Sequence, residues 1–185
     1  HVGEKTFWDA INTSSKPVIA SHSSVYALCP VFRNLKDDQI KAVAKNKGVI
    51  QINFYSGFLD STFAKKQSNF LASHQSEFDS LQKIKTPDYQ IKNYFTKKYP
   101  QEADALRPPL SLILDHIGYI VKLVGVDYVG LGSDFDGIDS APKGLNGVED
   151  YPKVAKALKE RGYSEKDIDK ILGGNILRVF KANGN

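Results

Sequence analysis

The fold is decided by residues 126–137, which read VDYVGLGSDFDG. Residues 126–132 are mostly apolar, as is typical of a short buried strand. Two carboxylates, Asp134 and Asp136, follow Gly130 and Gly132, which permit a tight turn or the close approach of another backbone. The segment therefore predicts a strand whose C-terminal end carries groups that bind a metal or move a proton.

Two upstream segments repeat this pattern of an apolar run followed by polar side chains. Residues 17–21 (PVIAS) run into His22, and residues 48–55 (GVIQINFY) are rich in branched and aromatic side chains. Apolar periodicity predicts helices over residues 4–12, 37–46, 63–84, 89–99, 110–124, 151–161 and 164–180. Strands that alternate with helices predict an α/β fold with a parallel sheet. Three strands fit either a small open sheet or about half of an eight-stranded barrel.

Composition limits the class of protein. The 185 residues are 41% hydrophobic and 25% charged, which is typical of one globular domain spanning residues 1–185. Within it, we interpret the polar, lysine-rich residues 60–108 as a helical excursion, that is, a helical segment inserted into the main fold. The net charge of +4 is dispersed, without the basic stripe that predicts a nucleic-acid partner, and no apolar run approaches the ~20 residues of a membrane span. The single cysteine excludes a disulfide scaffold but leaves the compartment unknown.

Two histidines are candidate metal ligands. His22 follows a predicted strand and lies between serines whose hydroxyls would set its tautomer; Arg33 follows after a loop. His1 lies where an earlier strand would end, although a terminal histidine can also bind copper through its own amine. We expect His74 to be a surface residue and His116 to be hydrogen-bonded and structural.

Two other kinds of loop do not fit the sequence around the carboxylates after residue 132. A dinucleotide-binding loop would need a glycine at Phe135, and a calcium-binding EF-hand would need its glutamate at Leu145. Asp134 is therefore predicted to be a metal ligand or a general base, whereas Asp136 fits a residue that caps the turn.

Several sequence blocks, in the same order, resemble the membrane (renal) dipeptidase family. They are PVIASHSS (residues 17–24) continuing to Arg33 and Asp38, QINFY (51–55), VGLGSDFDG (129–137) and GNILRVF (174–180). The resemblance implies the C-terminal half of a (β/α)8 TIM-type metallohydrolase barrel, in which two zinc ions bridged by a glutamate act on dipeptides. It further implies that His1 and His22 bind one zinc ion and that Arg33 binds the substrate's carboxylate. Asp134 would contact the substrate and exchange a proton with the bridging water and the leaving amine.

The resemblance also implies parts of a site that these residues do not contain. The family's His-x-Asp motif and its bridging glutamate would lie before residue 1, and the chain begins at His1 without any methionine. We therefore expect a processed product or a piece of a longer protein, with the N-terminal half of the barrel missing. We expect residues 1–185 alone to be inactive, and a homodimer is a further expectation from the family.

Three other functions stay open from the sequence. The chain could come from another barrel hydrolase, such as a lactonase or an amidohydrolase that acts on other amides. It could be a non-catalytic barrel fragment that serves in assembly. A mononuclear copper site at His1 is the third.

Overall fold

The computed structural model describes residues 2–184, and its centre is a three-stranded parallel sheet. The strands are β1 (Ile19–Ser23), β2 (Val49–Ile52) and β3 (Val129–Leu131), with β2 in the middle. All four residues of β2 are buried, as expected for a central parallel strand with neighbours on both edges. The predicted α/β class with a parallel sheet is confirmed in this form.

Helices surround the sheet and account for most of the chain. They are α1 (Glu4–Thr13), α2 (Asp37–Lys45), α3 (Ser56–Leu59), α4 (Phe63–Ser73), α5 (Gln75–Lys83), α6 (Asp88–Lys98), α7 (Pro100–Leu106), α8 (Ser111–Val124), α9 (Tyr151–Glu160), α10 (Glu165–Asp169) and α11 (Asn175–Asn183). Over residues 2–184, no helix is long and apolar enough to cross a membrane.

The core lies between the sheet and α8. Ile113, Ile117 and Ile120 recur at the spacing of one helical face, and all three are fully buried. Burial of each such side chain contributes about 1.5–3 kcal/mol. The glycine that ends α8, Gly125, has φ 101°, a conformation that favours glycine, and a short 3-10 turn over residues 126–128 connects it to β3.

The first strand begins two residues later than predicted and contains a β-bulge. Ala20 pairs with Ile50 and Ser23 pairs with Ile52, so two residues of β1, one of them His22, lie opposite a single residue of β2. A bulge bends its strand and redirects its side chains. His22 therefore lies within the strand rather than after it.

The sheet is strongly curved. A methyl group on Gly132, just after β3, would lie 2.2 Å from the carbonyl oxygen of Ser21 on β1, although β2 lies between these strands. In a flat sheet, two strands separated by a third are roughly 9.5 Å apart. The glycine is needed here because the outer strands approach each other.

Two predicted helices are interrupted. Residues 63–84 were predicted as one helix, but the chain breaks at His74, whose ring stacks on Tyr99 at 3.8 Å and whose Nε2 lies 3.1 Å from Glu102. His74 is thus partly buried rather than a plain surface residue. Residues 164–180 contain a π-helical turn at Lys170–Gly174, where two glycines weaken the helix.

Candidate active site

Polar side chains gather at the C-terminal ends of the three strands. His22 lies near the end of β1, Asn53 directly follows β2, and Asp134 lies three residues after β3. Because carboxyl ends of parallel strands meet at one edge of a sheet, these groups share one site. His1, the other predicted metal ligand, lies outside the described residues.

His22 is oriented by its neighbours. Its Nδ1 lies 2.7 Å from the hydroxyl of Ser21, and its Nε2 lies 3.5 Å from a guanidinium nitrogen of Arg33. Burial lowers the pKa of His22, while the carboxylate of Asp134 opposes this shift. The imidazole is therefore favoured in its neutral form, which is the form that binds metals.

Arg33 lies on a loop that is fixed to β1 and to α3. Its carbonyl oxygen accepts a hydrogen bond from Ser23 (2.8 Å), and the neighbouring Asn34 amide donates to the carbonyls of Cys29 and Phe58 (2.8 Å each). The guanidinium lies 5.3 Å from the centre of the Phe58 ring, within cation–π range. Burial lowers the pKa of Arg33, and Asp134 opposes the shift, so this cation faces an anion.

Asp134 is held in an unusual backbone conformation. Its φ is 62°, in the left-handed region that non-glycine residues rarely adopt. Its Oδ2 accepts a hydrogen bond from the side-chain amide of Asn53 (3.1 Å), and its carbonyl accepts one from the Gly137 amide (2.9 Å). A methyl group on Gly137 would lie 2.5 Å from Oδ1, so the glycine leaves room for the carboxylate. Asp136 is exposed in the same turn.

A groove of about 960 Å³ runs along the outer edge of β1. It is bounded by α1 on one side and by the loop that carries Arg33 on the other, and His22 lies on its wall. The edge of β1 that faces this groove has no strand partner among residues 2–184. Unpaired strand edges are usually covered or blunted in native proteins.

The metal implied by the family resemblance is not accommodated by the described residues alone. Across residues 2–184, no group of three or more histidine, cysteine, aspartate or glutamate side chains is placed to hold a metal ion. Zinc sites normally use three or four protein ligands. His22 could supply one imidazole, and the remaining ligands must come from elsewhere.

Asn53 and Phe58 contact the predicted site residues but were not predicted from the sequence. Asn53 could have been found, because it is the polar residue that follows the second predicted apolar run. Phe58 could not, since an aromatic residue shortly after a predicted strand indicates a core position as readily as a contact with arginine. Of the predicted residues, His22 and Arg33 come together in this structure, and Asp134 lies near enough to both to influence their pKa.

Comparison with known proteins places this chain in a family. The model of the membrane dipeptidase family (peptidase family M19) matches residues 1–185. The chain belongs to this family. Dipeptidase tcpJ of Claviceps purpurea is 33% identical over 181 residues, which are 98% of this chain and 33% of that protein. An uncharacterized protein in the pqqA 5′ region of Klebsiella pneumoniae is also 33% identical over 98% of this chain and 52% of its own length.

Two solved structures share this fold over nearly the whole chain. A metallo peptidase from Rhodobacter sphaeroides, liganded with a phosphinate mimic of the dipeptide L-Ala-D-Ala, superposes with a TM-score of 0.73 at 24% identity, over 100% of this chain and 41% of its own. The probable dipeptidase PvdM from Pseudomonas aeruginosa gives 0.71 at 28% identity, over 97% and 48%. The chain thus spans a third to about half of the proteins that it matches.

Proposed function

We propose that these residues belong to a zinc-dependent dipeptidase, in which they bind the substrate's free carboxylate and transfer a proton at the scissile bond. The observation that carries this proposal is the meeting of His22, Arg33 and Asp134 at one edge of the sheet. Family membership and relatives named as dipeptidases support it.

Arg33 binds the C-terminal carboxylate of the dipeptide. Its planar fork of donors matches a carboxylate, and the Phe58 ring and the fixed loop limit the freedom of the guanidinium before the substrate arrives. We expect Arg33→Ala to raise KM and to lower kcat/KM by about 10- to 100-fold on dipeptides. The matched control is the same dipeptide with an amidated C-terminus. An equal loss of kcat/KM on both substrates would show that the arginine does not bind the carboxylate.

Asp134 accepts a proton from the attacking water and donates it to the leaving amine. General acid–base catalysis contributes about 10²- to 10⁴-fold to a rate, so Asp134→Asn should lower kcat within this range and change KM far less. An unchanged kcat in the active protein would remove Asp134 from the reaction.

We further propose that activity needs the part of the barrel that the longer relatives contain and residues 1–185 lack. The strong curvature of the sheet and the groove along β1 support half of a closed (β/α)8 barrel, because a parallel strand seated in this groove would pair the open edge. His22, with His1 and ligands from that other half, would bind zinc.

Intact mass spectrometry with elemental analysis tests this arrangement. Residues 1–185 alone should hold little zinc and should not hydrolyse dipeptides, whereas protein that also contains the remaining barrel should hold about two zinc ions. Hydrolysis by residues 1–185 alone would refute the divided site. A lactone and a non-peptide amide in the substrate panel separate the dipeptidase from other barrel hydrolases, and sedimentation of the active protein tests the expected homodimer.

A further inference from the structure

The buried side chain of Asn53 links the candidate general base to the sheet. It is 0% exposed, and its Nδ2 donates to Oδ2 of Asp134 at 3.1 Å. Its Oδ1 accepts a hydrogen bond from the backbone amide of Tyr55 at 2.6 Å. Its backbone amide donates to the carbonyl of Ser23 (3.3 Å), and its carbonyl accepts from the hydroxyl of Ser24 (3.4 Å). Four contacts to three segments leave this residue a single orientation.

We propose that Asn53 is a positioning residue that fixes the carboxylate of Asp134 for proton transfer, an inference that rests on the proposed dipeptidase function. Asp134 lies in a tight turn with its backbone in the left-handed region, so the turn determines its backbone conformation. The terminal torsion of an aspartate is broad, so the backbone alone does not fix the direction of the carboxylate. A hydrogen bond to one oxygen removes this freedom and leaves the other oxygen to move the proton.

The orientation of the Asn53 amide is itself determined by the network. Because the Tyr55 amide can only donate, the atom that faces it must be the oxygen. The NH2 group must then face Asp134, where it donates to one oxygen of the carboxylate. An aspartate at position 53 would fit the same space but would place two carboxylates side by side.

The central experiment compares the isosteric variant N53D with wild type in the active, metal-loaded protein. N53D keeps the acceptor for Tyr55 and replaces the donor with an oxygen that repels Asp134. We expect kcat to fall by about 10- to 100-fold, with KM within about twofold, and the acid limb of the kcat profile to move to higher pH. N53S removes the amide donor, leaves only a shorter hydroxyl and adds no charge, so it should lower kcat without so large a shift of that limb.

Asn175→Asp is the matched control. Asn175 is also a buried asparagine, and its amide donates to the carbonyls of Val126 (2.7 Å) and Val129 (2.8 Å), at the opposite end of β3 from Asp134. The same isosteric change there should reduce stability but leave the pH dependence of kcat unchanged. If N53D and N175D alter kcat and the pH profile alike, Asn53 has a structural role only and the proposal is wrong.

A crystal structure of N53S provides a readout that does not need catalysis. We expect the Asp134 carboxylate to rotate or to occupy more than one position when its partner is lost. A carboxylate that stays in its wild-type position would overturn the proposal. Absence of dipeptide hydrolysis by the complete wild-type protein would instead count against the proposed function, so the two failures are distinguishable.

Discussion

Replacing His116 with glutamine should make the folded protein less sensitive to acid. The imidazole is 1% exposed, its Nδ1 accepts a hydrogen bond from the Val25 amide (3.0 Å), and its Nε2 donates to the Leu59 carbonyl (3.2 Å). These bonds suit the neutral ring, because a proton on Nδ1 would face the N–H of Val25. Burial lowers the pKa of His116 to about 4, although the bond to Leu59 and the charge of Asp115 oppose the shift.

The magnitude follows from the difference in pKa between the two states. The pKa is 6.5 for an ordinary histidine and about 4 in the fold, so the unfolded chain binds more protons between these values. The contribution to stability is therefore complete above the unfolded pKa and is lost as the pH falls toward the folded pKa. Linkage gives a loss of roughly 2 kcal/mol between pH 7.5 and pH 5, and roughly 3 kcal/mol below both values.

Urea unfolding, followed by circular dichroism at several pH values in this range, measures the effect. Glutamine does not titrate and can form the same two hydrogen bonds, so the free energy of unfolding of H116Q should fall roughly 2 kcal/mol less than that of wild type. Tyr119→Phe is the control on the same helix, because it removes a hydrogen bond to Asp37 (2.9 Å) and no imidazole. Parallel losses in wild type and H116Q would refute the role assigned to His116.

Three further predictions concern stability and reactivity. Gly132→Ala should lower the free energy of unfolding by about 3 kcal/mol, because its methyl group meets the Ser21 carbonyl, whereas Gly173→Ala, with open space around it, should be tolerated in the same thermal denaturation assay. Arg178 donates three hydrogen bonds to backbone carbonyls near the starts of β2 and β3, so Arg178→Ala should lower the free energy of unfolding by about 1–3 kcal/mol. The same variant should leave KM unchanged in steady-state kinetics. Cys29 is buried and its pKa is raised to about 11, so a thiol reagent should label it in denaturant and not in the native protein.

The elements with strong local patterns could be predicted from the sequence. The helix predicted over residues 110–124 is observed as Ser111–Val124, and residues 4–12 as Glu4–Thr13, because their apolar spacing and their glycine or proline boundaries agree. Ser164, where the last predicted helix begins, caps α10, and its hydroxyl accepts a hydrogen bond from the Asp167 amide (3.2 Å). The barrel, the zinc ligands and the catalytic roles stay predictions.

The elements that were missed depend on contacts between distant residues. The strand predicted over residues 126–132 begins only at Val129, since residues 126–128 form a 3-10 turn whose carbonyl at Val126 accepts from Asn175, far along the chain. The break at His74 likewise depends on stacking against Tyr99. The bulge in β1 has no local signal, because PVIASHS reads as a regular strand.

The end of β2 decides how the candidate site is assembled. His22 lies on β1 and Asp134 follows β3, so the two residues come from the outer strands, and β2 lies between these strands. Asn53 continues the middle strand and bonds to both sides, through its backbone to Ser23 and through its amide to Asp134. A change at Asn53 therefore affects Asp134 and β1 together. Asn53 therefore connects the two parts of the candidate site, β1 with His22 and the turn with Asp134.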